Sequence, residues 1–199
     1  MEQTANHKES IYGSRLPEME AVLADIQRRI EDLRAKMLHE TGMDPVEHCL
    51  GRIKSEESMR EKCRRQGLPE TEESALVTIR DAIGFRIVCA FLSDVYRIRD
   101  HLARESGLTV VSEKDYIRSA KPNGYRSLHL ITQAPGGLFV EFQLRTISMD
   151  TWAALEHHLK YKKTVSGNTE LIVAELKRCA EELASTDVSM QTLRDMILT

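Results

Sequence analysis

Apolar side chains recur at helical spacing near the start of the chain. Between residues 15 and 38 they fall three or four positions apart, opposite a charged face: Val22, Ile26, Ile30, Leu33 and Met37. That period predicts an amphipathic helix. A shorter helix is predicted to begin after Ser55, a good N-cap with two glutamates in the first turn, and to end at Gly67, with Pro69 beyond it.

Four later segments have the composition of strands, because they are rich in β-branched and aromatic residues. They cover residues 84–91, 108–117, 125–133 and 138–146. A helix over 94–107 follows the first, and the turn sequence APGG joins the last two as a hairpin. Another helix is predicted over 147–163, with two more helical stretches after the break at SGN. This order of elements predicts an α+β domain in which a mixed sheet carries helices.

The composition is that of an ordinary globular protein, and 199 residues can form one large domain. Apolar residues make up 41% of the chain, charged residues 30%, and the formal net charge is −3. A protein that wraps duplex nucleic acid is usually basic, so this balance argues against that function. Any binding of phosphate must therefore come from local clusters of Lys and Arg.

The cysteines and the termini indicate a cytoplasmic location. The four cysteines have no CxxC spacing, which predicts small buried hydrophobic side chains in a reducing compartment, without a disulfide framework or a zinc site. The polar N-terminus has no secretion signal, and no window approaches the roughly 18 apolar residues of a membrane span.

Polar residues alternate along the last two predicted strands. One strand face carries Tyr125, Ser127 and His129, and one face of its neighbour carries Glu141, Gln143 and Arg145. A hairpin centred on Gly136 places His129 opposite Gln143. It also places Ile131 opposite Glu141, so that the two polar faces merge. A slip of one residue would bury Glu141 among leucines, which its charge disfavours. A solvated sheet face is the alternative, weakened because helices flank the sheet in sequence.

Basic residues cluster around the second predicted helix. Ser58, Lys62 and Arg65 fall on one stripe of that helix. Arg52 and Lys54 lie just before its N-terminus, where free backbone N–H groups already favour an anion. Such a cluster suits a polyphosphate, and equally a solvated basic face. It is not a P-loop, because GxxxxGK[ST] is absent.

A carboxylate precedes the first predicted strand. Asp81 lies at the edge of that strand, close to Gly84 and Arg86. Mg²⁺ needs only one or two protein carboxylates when phosphates supply its other ligands, and Asp81 with Glu141 would form such a pair. Taken alone, Asp81 also fits a turn residue or a helix cap.

Five blocks of sequence occur together in a familiar order: RIKSEES, DAIGFRIVC, KDYIRSAKPNGYRSLH, EFQLRTISMDTWAALEH and LKYK. They closely resemble the synthetase domain of the RelA/SpoT family in its short form, the small alarmone synthetases. The resemblance covers residues 12–163, the core of one synthetase domain over 1–199 with helical extensions at both ends. It implies a nucleotidyltransferase-like synthetase fold, α+β, with a mixed, mostly antiparallel sheet of about five strands flanked by helices.

The resemblance implies a GTP diphosphokinase of the stringent response. Such an enzyme moves the β,γ-pyrophosphate of ATP to the ribose 3′-hydroxyl of GTP or GDP, with Mg²⁺, and gives pppGpp or ppGpp and AMP. This chemistry agrees with the clustered cations and carboxylates described above, because in-line phosphoryl transfer needs positioning and charge neutralisation more than covalent help.

The family motifs also imply roles for individual residues. Arg52 and Arg86 would sandwich the adenine. Asp81 would carry Mg²⁺, and Glu141 would assist the metal or draw the proton from the 3′-hydroxyl. Tyr125 would stack on the guanine. The ATP phosphates would be held by Lys54, Ser58 and Lys62. The acceptor site would be completed by Lys121, Asn123, His129, Gln143 and Asp150.

Some features depart from the family. Where relatives place an aromatic residue and a threonine of an allosteric site in a tetramer cleft, this chain has His48 and Leu50, so that form of activation is not expected. The connection from Leu130 to Glu141 is also short. No His-Asp hydrolase segment and no regulatory region is recognised, so we expect neither alarmone degradation nor control by ribosomes. The amphipathic terminal helices predict a homo-oligomer, a tetramer by resemblance, unless they pack on their own sheet.

Two other functions stay open. The same fold could transfer pyrophosphate to the 3′ end of tRNA or to an adenosine nucleotide, although the acidic chain argues against tRNA. The second alternative is a non-catalytic module that binds a nucleotide or RNA. The presence of both Asp81 and Glu141 disfavours it. The sequence does not decide among GTP, GDP and GMP, and nothing in it supports an RNA partner.

Overall fold

A five-stranded sheet organises the chain, in the order β1-β2-β5-β4-β3. Its strands are β1 (Val46–Ile53), β2 (Ile83–Cys89), β3 (Thr109–Asp115), β4 (Leu128–Gln133) and β5 (Phe139–Thr146). Strands β2 and β5 pair in parallel, and the other three pairs are antiparallel. This computed structural model describes residues 10–104, 107–161 and 169–198. The prediction of a mixed, mostly antiparallel sheet of about five strands in an α+β fold is confirmed.

In the described residues the α-helices that flank the sheet are α1 (Leu16–Thr41), α2 (Glu56–Gln66), α3 (Leu92–Arg104), α4 (Ile147–Tyr161) and α5 (Thr169–Leu198), and short helical turns cover Gly13–Arg15 and Ser74–Thr78. The predicted caps of α2 are confirmed. The Ser55 hydroxyl accepts a hydrogen bond from the Ser58 N–H, and Gly67 ends the helix in the left-handed conformation, with φ of 69°.

The C-terminal helix differs from its prediction. The two predicted stretches form one continuous helix, α5, because residues 169–198 contain neither glycine nor proline to interrupt it. The predicted end of α4 at residue 163 and the break at SGN lie outside the described residues.

Strand β1 was not located by the sequence pattern. It is an edge strand that pairs with β2, and the apolar residues of its sequence VEHCLGRI, at positions 46, 49, 50 and 53, do not alternate with polar ones. Gly51 is required there, because a Cβ atom would lie 2.5 Å from the ring of Phe85. A strand with one covered face and one free edge carries too weak an alternation to be found by pattern alone.

The hairpin register is as predicted, with His129 opposite Gln143 and Ile131 opposite Glu141. The first of its two strands begins later than predicted, at Leu128. Ser127, predicted on the polar face, is instead fully buried, and its hydroxyl donates to the Leu144 carbonyl oxygen at 3.1 Å. It precedes the strand, where the alternation no longer applies.

The sheet separates an apolar core from a polar face. One cluster of buried side chains joins α1 and α3 to the inward positions of the central strands, among them Ile83, Phe85 and Ile87 of β2 with Val140, Phe142 and Leu144 of β5. The alternate positions of both strands point to the opposite face and carry the polar residues.

The structure also shows the environment of the cysteines and the character of the helices. Cys63 and Cys89 are buried, as predicted, whereas Cys49 and Cys179 are half-buried, and none of these four described residues is in a disulfide. Within the described ranges, no helix has the length and apolar character needed to cross a membrane.

Truncating Phe142 is expected to destabilise the fold strongly, because its ring is fully buried and stacks on Phe85 at 5.5 Å between centroids. Phe142→Ala should lower the free energy of unfolding by about 3–5 kcal/mol. Phe142→Leu, the matched control, should lose much less. Urea unfolding curves measure both, and a loss below about 1 kcal/mol in the alanine variant would contradict this account of the core.

Candidate functional site

The sheet register brings most of the predicted site residues into two adjacent rows on the polar face. One row consists of Arg52, Gly84 and Glu141, and the next of Leu50, Arg86, Gln143 and His129. The first three positions of each row line an open cleft, together with Lys54 and Asp81. Gly84 adds no side chain to this floor, which leaves room above the sheet beside Glu141.

Two lysines converge on Asp81 at one end of the cleft. Lys54 precedes α2 and Lys62 lies within it, and their ammonium groups donate to the same carboxylate oxygen at 2.5 Å and 2.6 Å. Burial raises the pKa of Asp81, but the hydrogen bonds from both lysines outweigh burial and hold that pKa below its ordinary value. Asp81 is therefore ionised at neutral pH.

The N-terminal segment, at Ser10 and Tyr12, holds the backbone around Lys54 in place. The hydroxyl of the buried Tyr12 donates to the Lys54 carbonyl oxygen at 2.6 Å, and Glu56 in the first turn of α2 accepts from the Ser10 hydroxyl at 2.7 Å. Because the backbone of Lys54 and the side chain of Glu56 are both held in this way, the segment that directs the Lys54 ammonium group at Asp81 is fixed.

The two carboxylates of the cleft suit a hard cation. The second oxygen of Asp81, Oδ1, is buried and has no hydrogen-bond partner among the described residues. Asp81 and Glu141 line the same cleft, where burial first and then the charge of Asp81 act to raise the pKa of Glu141 against the stronger opposing effect of its hydrogen-bond partners. The described residues contain no group of three side chains able to hold a metal by themselves. Two carboxylates fit Mg²⁺ only when phosphate oxygens complete its shell.

A buried arginine joins the residues at the other end of the cleft. Arg145 is 5% exposed, and its guanidinium donates to Asp150 at 3.0 Å, to the Tyr125 hydroxyl at 2.8 Å and to the Gln143 amide oxygen at 3.1 Å. The guanidinium also lies 5.2 Å from the centre of the Tyr125 ring. Sequence alternation placed Arg145 on the polar face, but nothing in the pattern revealed that it binds three predicted site residues.

The Tyr125 hydroxyl joins Arg145 to His129. It accepts from the Arg145 guanidinium and lies 2.9 Å from His129 Nε2. The other ring nitrogen, Nδ1, faces Glu141 at 3.5 Å. Burial raises the pKa of Glu141, but His129 and Gln143 outweigh burial and lower it overall. Glu141 is thus ionised and oriented.

The loop before β4 carries the remaining predicted acceptor residues. The Asn123 amide oxygen accepts from the Tyr125 N–H at 3.2 Å. The Lys121 ammonium group lies between two rings, 4.6 Å from the centre of Tyr116 and 4.9 Å from that of Tyr125. Tyr116, which also contacts the His129 ring at 5.4 Å, was not singled out from the sequence, where only its place in KDYI marked it.

Several predicted residues lie at the margins of the two clusters. Ser58 is exposed, and its hydroxyl accepts from Ser55 rather than joining the lysines. Asp150 also lies 3.7 Å from Arg86 and 3.8 Å from His48. Asp150 therefore connects the acceptor cluster to the first two strands.

The cleft thus has a cationic end with carboxylates and an aromatic end with amides. This is the arrangement of a site for phosphorylated nucleotides, in which cations neutralise phosphate and a ring receives a base.

Comparison with known proteins agrees with that class. The sequence profile of the family described as "Region found in RelA / SpoT proteins" matches residues 51–166. The chain is 43% identical over 147 residues to GTP pyrophosphokinase YwaC of Bacillus subtilis, a match that spans 70% of each sequence. The protein therefore belongs to the RelA/SpoT family, as the sequence motifs predicted.

Solved structures give the same result for the fold. Small alarmone synthetase 1 from Bacillus subtilis, bound to its product pppGpp, is similar with a TM-score of 0.79 and 30% identity, over 94% of this chain and 97% of that one. The same synthetase bound to AMPCPP matches with a TM-score of 0.71 and 27% identity, over 92% and 95% of the two chains. The predicted synthetase fold is confirmed.

Removing one of the two lysines should raise the pKa of Asp81. The folded-state pKa is held down by both ammonium groups, so the stability that they contribute is present above the unfolded pKa and is lost as the pH falls through the folded one. In Lys62→Met the carboxyl resonance of Asp81, followed by ¹³C NMR, should titrate at higher pH. The control Lys177→Met removes an exposed lysine of α5, and an Asp81 titration unchanged in Lys62→Met would contradict the pairing.

Proposed function

We propose that the protein is a cytoplasmic GTP diphosphokinase of the stringent response. It transfers the β,γ-pyrophosphate of ATP to the ribose 3′-hydroxyl of GTP or GDP, giving pppGpp or ppGpp and AMP. The observation that carries this proposal is a cleft with two chemically different ends. At one end two lysines bind Asp81, and at the other the Tyr125 ring and neighbouring polar side chains are organised by Arg145. Glu141 contacts the second group through His129. The single domain spans 1–199, with its core over 12–163.

The cationic end is assigned to ATP. Arg52 and Arg86 line the cleft from neighbouring strands, two residues out of register and therefore on the same face, and they would sandwich the adenine. Lys54, Ser58 and Lys62 would hold the phosphates. The two lysines already converge on one point, and each charge-assisted hydrogen bond to phosphate contributes about 1.5–3 kcal/mol.

Asp81 and Glu141 are assigned to Mg²⁺. The unpartnered Oδ1 of Asp81 is the atom best placed for a cation, while Oδ2 is held by the lysines. When bound there, Mg²⁺ would neutralise charge on the phosphates of ATP. Glu141 would lie between this point and the acceptor, where its ionised carboxylate assists the metal or accepts the proton of the 3′-hydroxyl.

The aromatic end is assigned to the acceptor nucleotide. Tyr125 would stack on the guanine, because Arg145 and His129 fix its ring from the hydroxyl side. The rest of the acceptor site would be formed by the polar side chains around that ring, namely Lys121, Asn123, His129, Gln143 and Asp150. These groups offer both donors and acceptors to a base and its ribose.

The reaction is tested by incubating the protein with ATP, GTP and Mg²⁺ and separating the nucleotides by anion exchange. AMP should appear together with a guanosine species carrying five phosphates. Formation of AMP only after tRNA or an adenosine nucleotide is added would assign a different acceptor. No AMP with any acceptor would overturn the enzymatic proposal in favour of a binding module.

Glu141→Gln should lower turnover by about 10²–10⁴-fold, the usual effect of losing a general base, while nucleotide binding is largely retained. The amide keeps the shape of the side chain but cannot accept a proton or hold the metal equally well. Glu181→Gln, on the exposed surface of α5, is the control. Steady-state kinetics and calorimetric binding separate the two effects. An unchanged rate would remove Glu141 from the mechanism.

We also propose a homo-oligomer, a tetramer by family resemblance. Exposed apolar side chains continue along α4 and α5: Leu155, Leu159, Leu171, Val188, Met190, Leu193, Met196 and Ile197. Exposed apolar side chains that adjoin one another on a helix, such as Leu193, Met196 and Ile197, are typical of surfaces that another chain covers. The prediction that the terminal helices leave apolar faces for a partner chain rests on these residues.

Light scattering should therefore give a mass that is a multiple of 22.7 kDa. The double variant Leu193→Asp/Met196→Asp should reduce it to a single chain, because charge on one helix face opposes its burial. A single-chain mass for the unaltered protein at micromolar concentration would refute the proposal.

A further inference from the structure

Helix α5 lies directly beneath the acceptor end of the cleft. The loop between Asn123 and Tyr125 rests on it at Gly124, where a Cβ atom would lie 2.7 Å from the Ala180 side chain and 3.1 Å from the Lys177 Cα. The position of this loop backbone is therefore limited by its contact with α5. That helix lies outside residues 51–166, which the family profile matches.

A second contact ties α5 to the ring of Tyr125. The indole N–H of Trp152, on α4, donates to the Leu176 carbonyl oxygen of α5 at 2.8 Å. The same indole packs edge-on against Tyr125, with 6.4 Å between ring centroids. The orientation of Trp152, and with it one side of the acceptor ring, is thus fixed by α5.

The third contact is a buried hydrogen-bond chain at the start of α4. Asp187 of α5 is 8% exposed, and its carboxylate accepts the hydroxyl proton of Thr146 at 2.6 Å. The Thr146 oxygen in turn accepts the N–H of Met149 at 3.2 Å, as the N-cap of α4. Because a hydroxyl has one proton, its commitment to Asp187 leaves the lone pairs for Met149.

This chain ends at the acceptor cluster. Asp150 follows Met149 in the first turn of α4, and its carboxylate holds the guanidinium of Arg145. Arg145 in turn binds Tyr125 and Gln143. If the Thr146 hydroxyl rotated, the Met149 N–H would lose its acceptor and the first turn of α4 would be released. Asp150, the carboxylate that binds Arg145, would then move.

We propose that Asp187 is a positioning residue for the acceptor nucleotide, acting through Thr146 and the first turn of α4. The proposal rests on the function assigned above. Asp187 touches no reacting atom. It fixes the helix turn from which Asp150 and Arg145 set the base-binding ring. Its loss therefore weakens binding of the guanine nucleotide much more than binding of ATP, which this turn reaches through the longer 3.7 Å contact of Asp150 with Arg86.

The chain offers a matched control in another buried anchor of the same helix. Arg194 of α5 pairs with Asp94 of α3 at 2.8 Å and covers the Phe91 ring at 4.6 Å. It attaches α5 to the rest of the fold without contacting the start of α4. Arg194→Met therefore loosens the C-terminal end of α5, away in sequence from the contacts at 176–180, and Asp187→Leu removes the N-cap chain.

The test compares Asp187→Leu, Asp187→Asn and Arg194→Met by the KM for GTP, the KM for ATP and the melting temperature. Asp187→Leu should raise the KM for GTP about tenfold, the scale of losing one fixed hydrogen bond, with the KM for ATP within about twofold. Asp187→Asn should be close to the unaltered protein, because its amide oxygen still accepts the Thr146 proton. Arg194→Met should lower the melting temperature without raising the KM for GTP.

Equal rises in both KM values for Asp187→Leu, or failure of Asp187→Asn to restore the KM for GTP, would overturn the proposal. Thr146→Val against Thr146→Ser gives the same comparison if Asp187→Leu does not fold. Calorimetric binding of GTP and of AMPCPP needs no turnover. A selective loss of GTP affinity in a protein that forms no AMP would keep the positioning role and reject the proposed reaction.

Discussion

The parallel, in-register pairing of β2 with β5 is the constraint on which the site depends. It sets Gly84 beside Glu141 and Arg86 beside Gln143, while Phe85 and Phe142 meet on the opposite face. A slip of one residue would put the charged side chains into the apolar core and the aromatic rings into solvent, so the register is fixed by burial. Burial of the core therefore also fixes which side chains line the cleft.

Charge is then organised on that face as two networks with different tasks. At one end two ammonium groups share one carboxylate oxygen, and ligand phosphates would compete with that carboxylate for them. At the other end a buried guanidinium binds Asp150, Tyr125 and Gln143. The first is built to exchange partners and the second to hold its geometry. Buried charges stay favourable only when such partners are present.

Features that depend on residues close together in the sequence were predicted correctly. The alternation and the APGG turn gave the register of β4 with β5, and Ser55 and Gly67 gave the ends of α2. Features that depend on distant residues were not predictable. Strand β1 is defined by its pairing with β2, Arg145 acquires its role from side chains up to 20 positions away, and the contacts of Asp187 join residues 41 positions apart. Site residues became recognisable through family motifs, since no single segment indicates a nucleotide.

The central claim is that an intact pyrophosphoryl group is transferred between nucleotides bound at the two ends of one cleft. The most direct measurement follows ATP carrying ¹⁸O in the β–γ bridge, with GTP as acceptor, by ³¹P NMR. The account predicts that the label remains in the bridge of a new 3′-pyrophosphate on guanosine while unlabelled AMP is released. Release of ADP, or of free labelled pyrophosphate without a guanosine product, would contradict it.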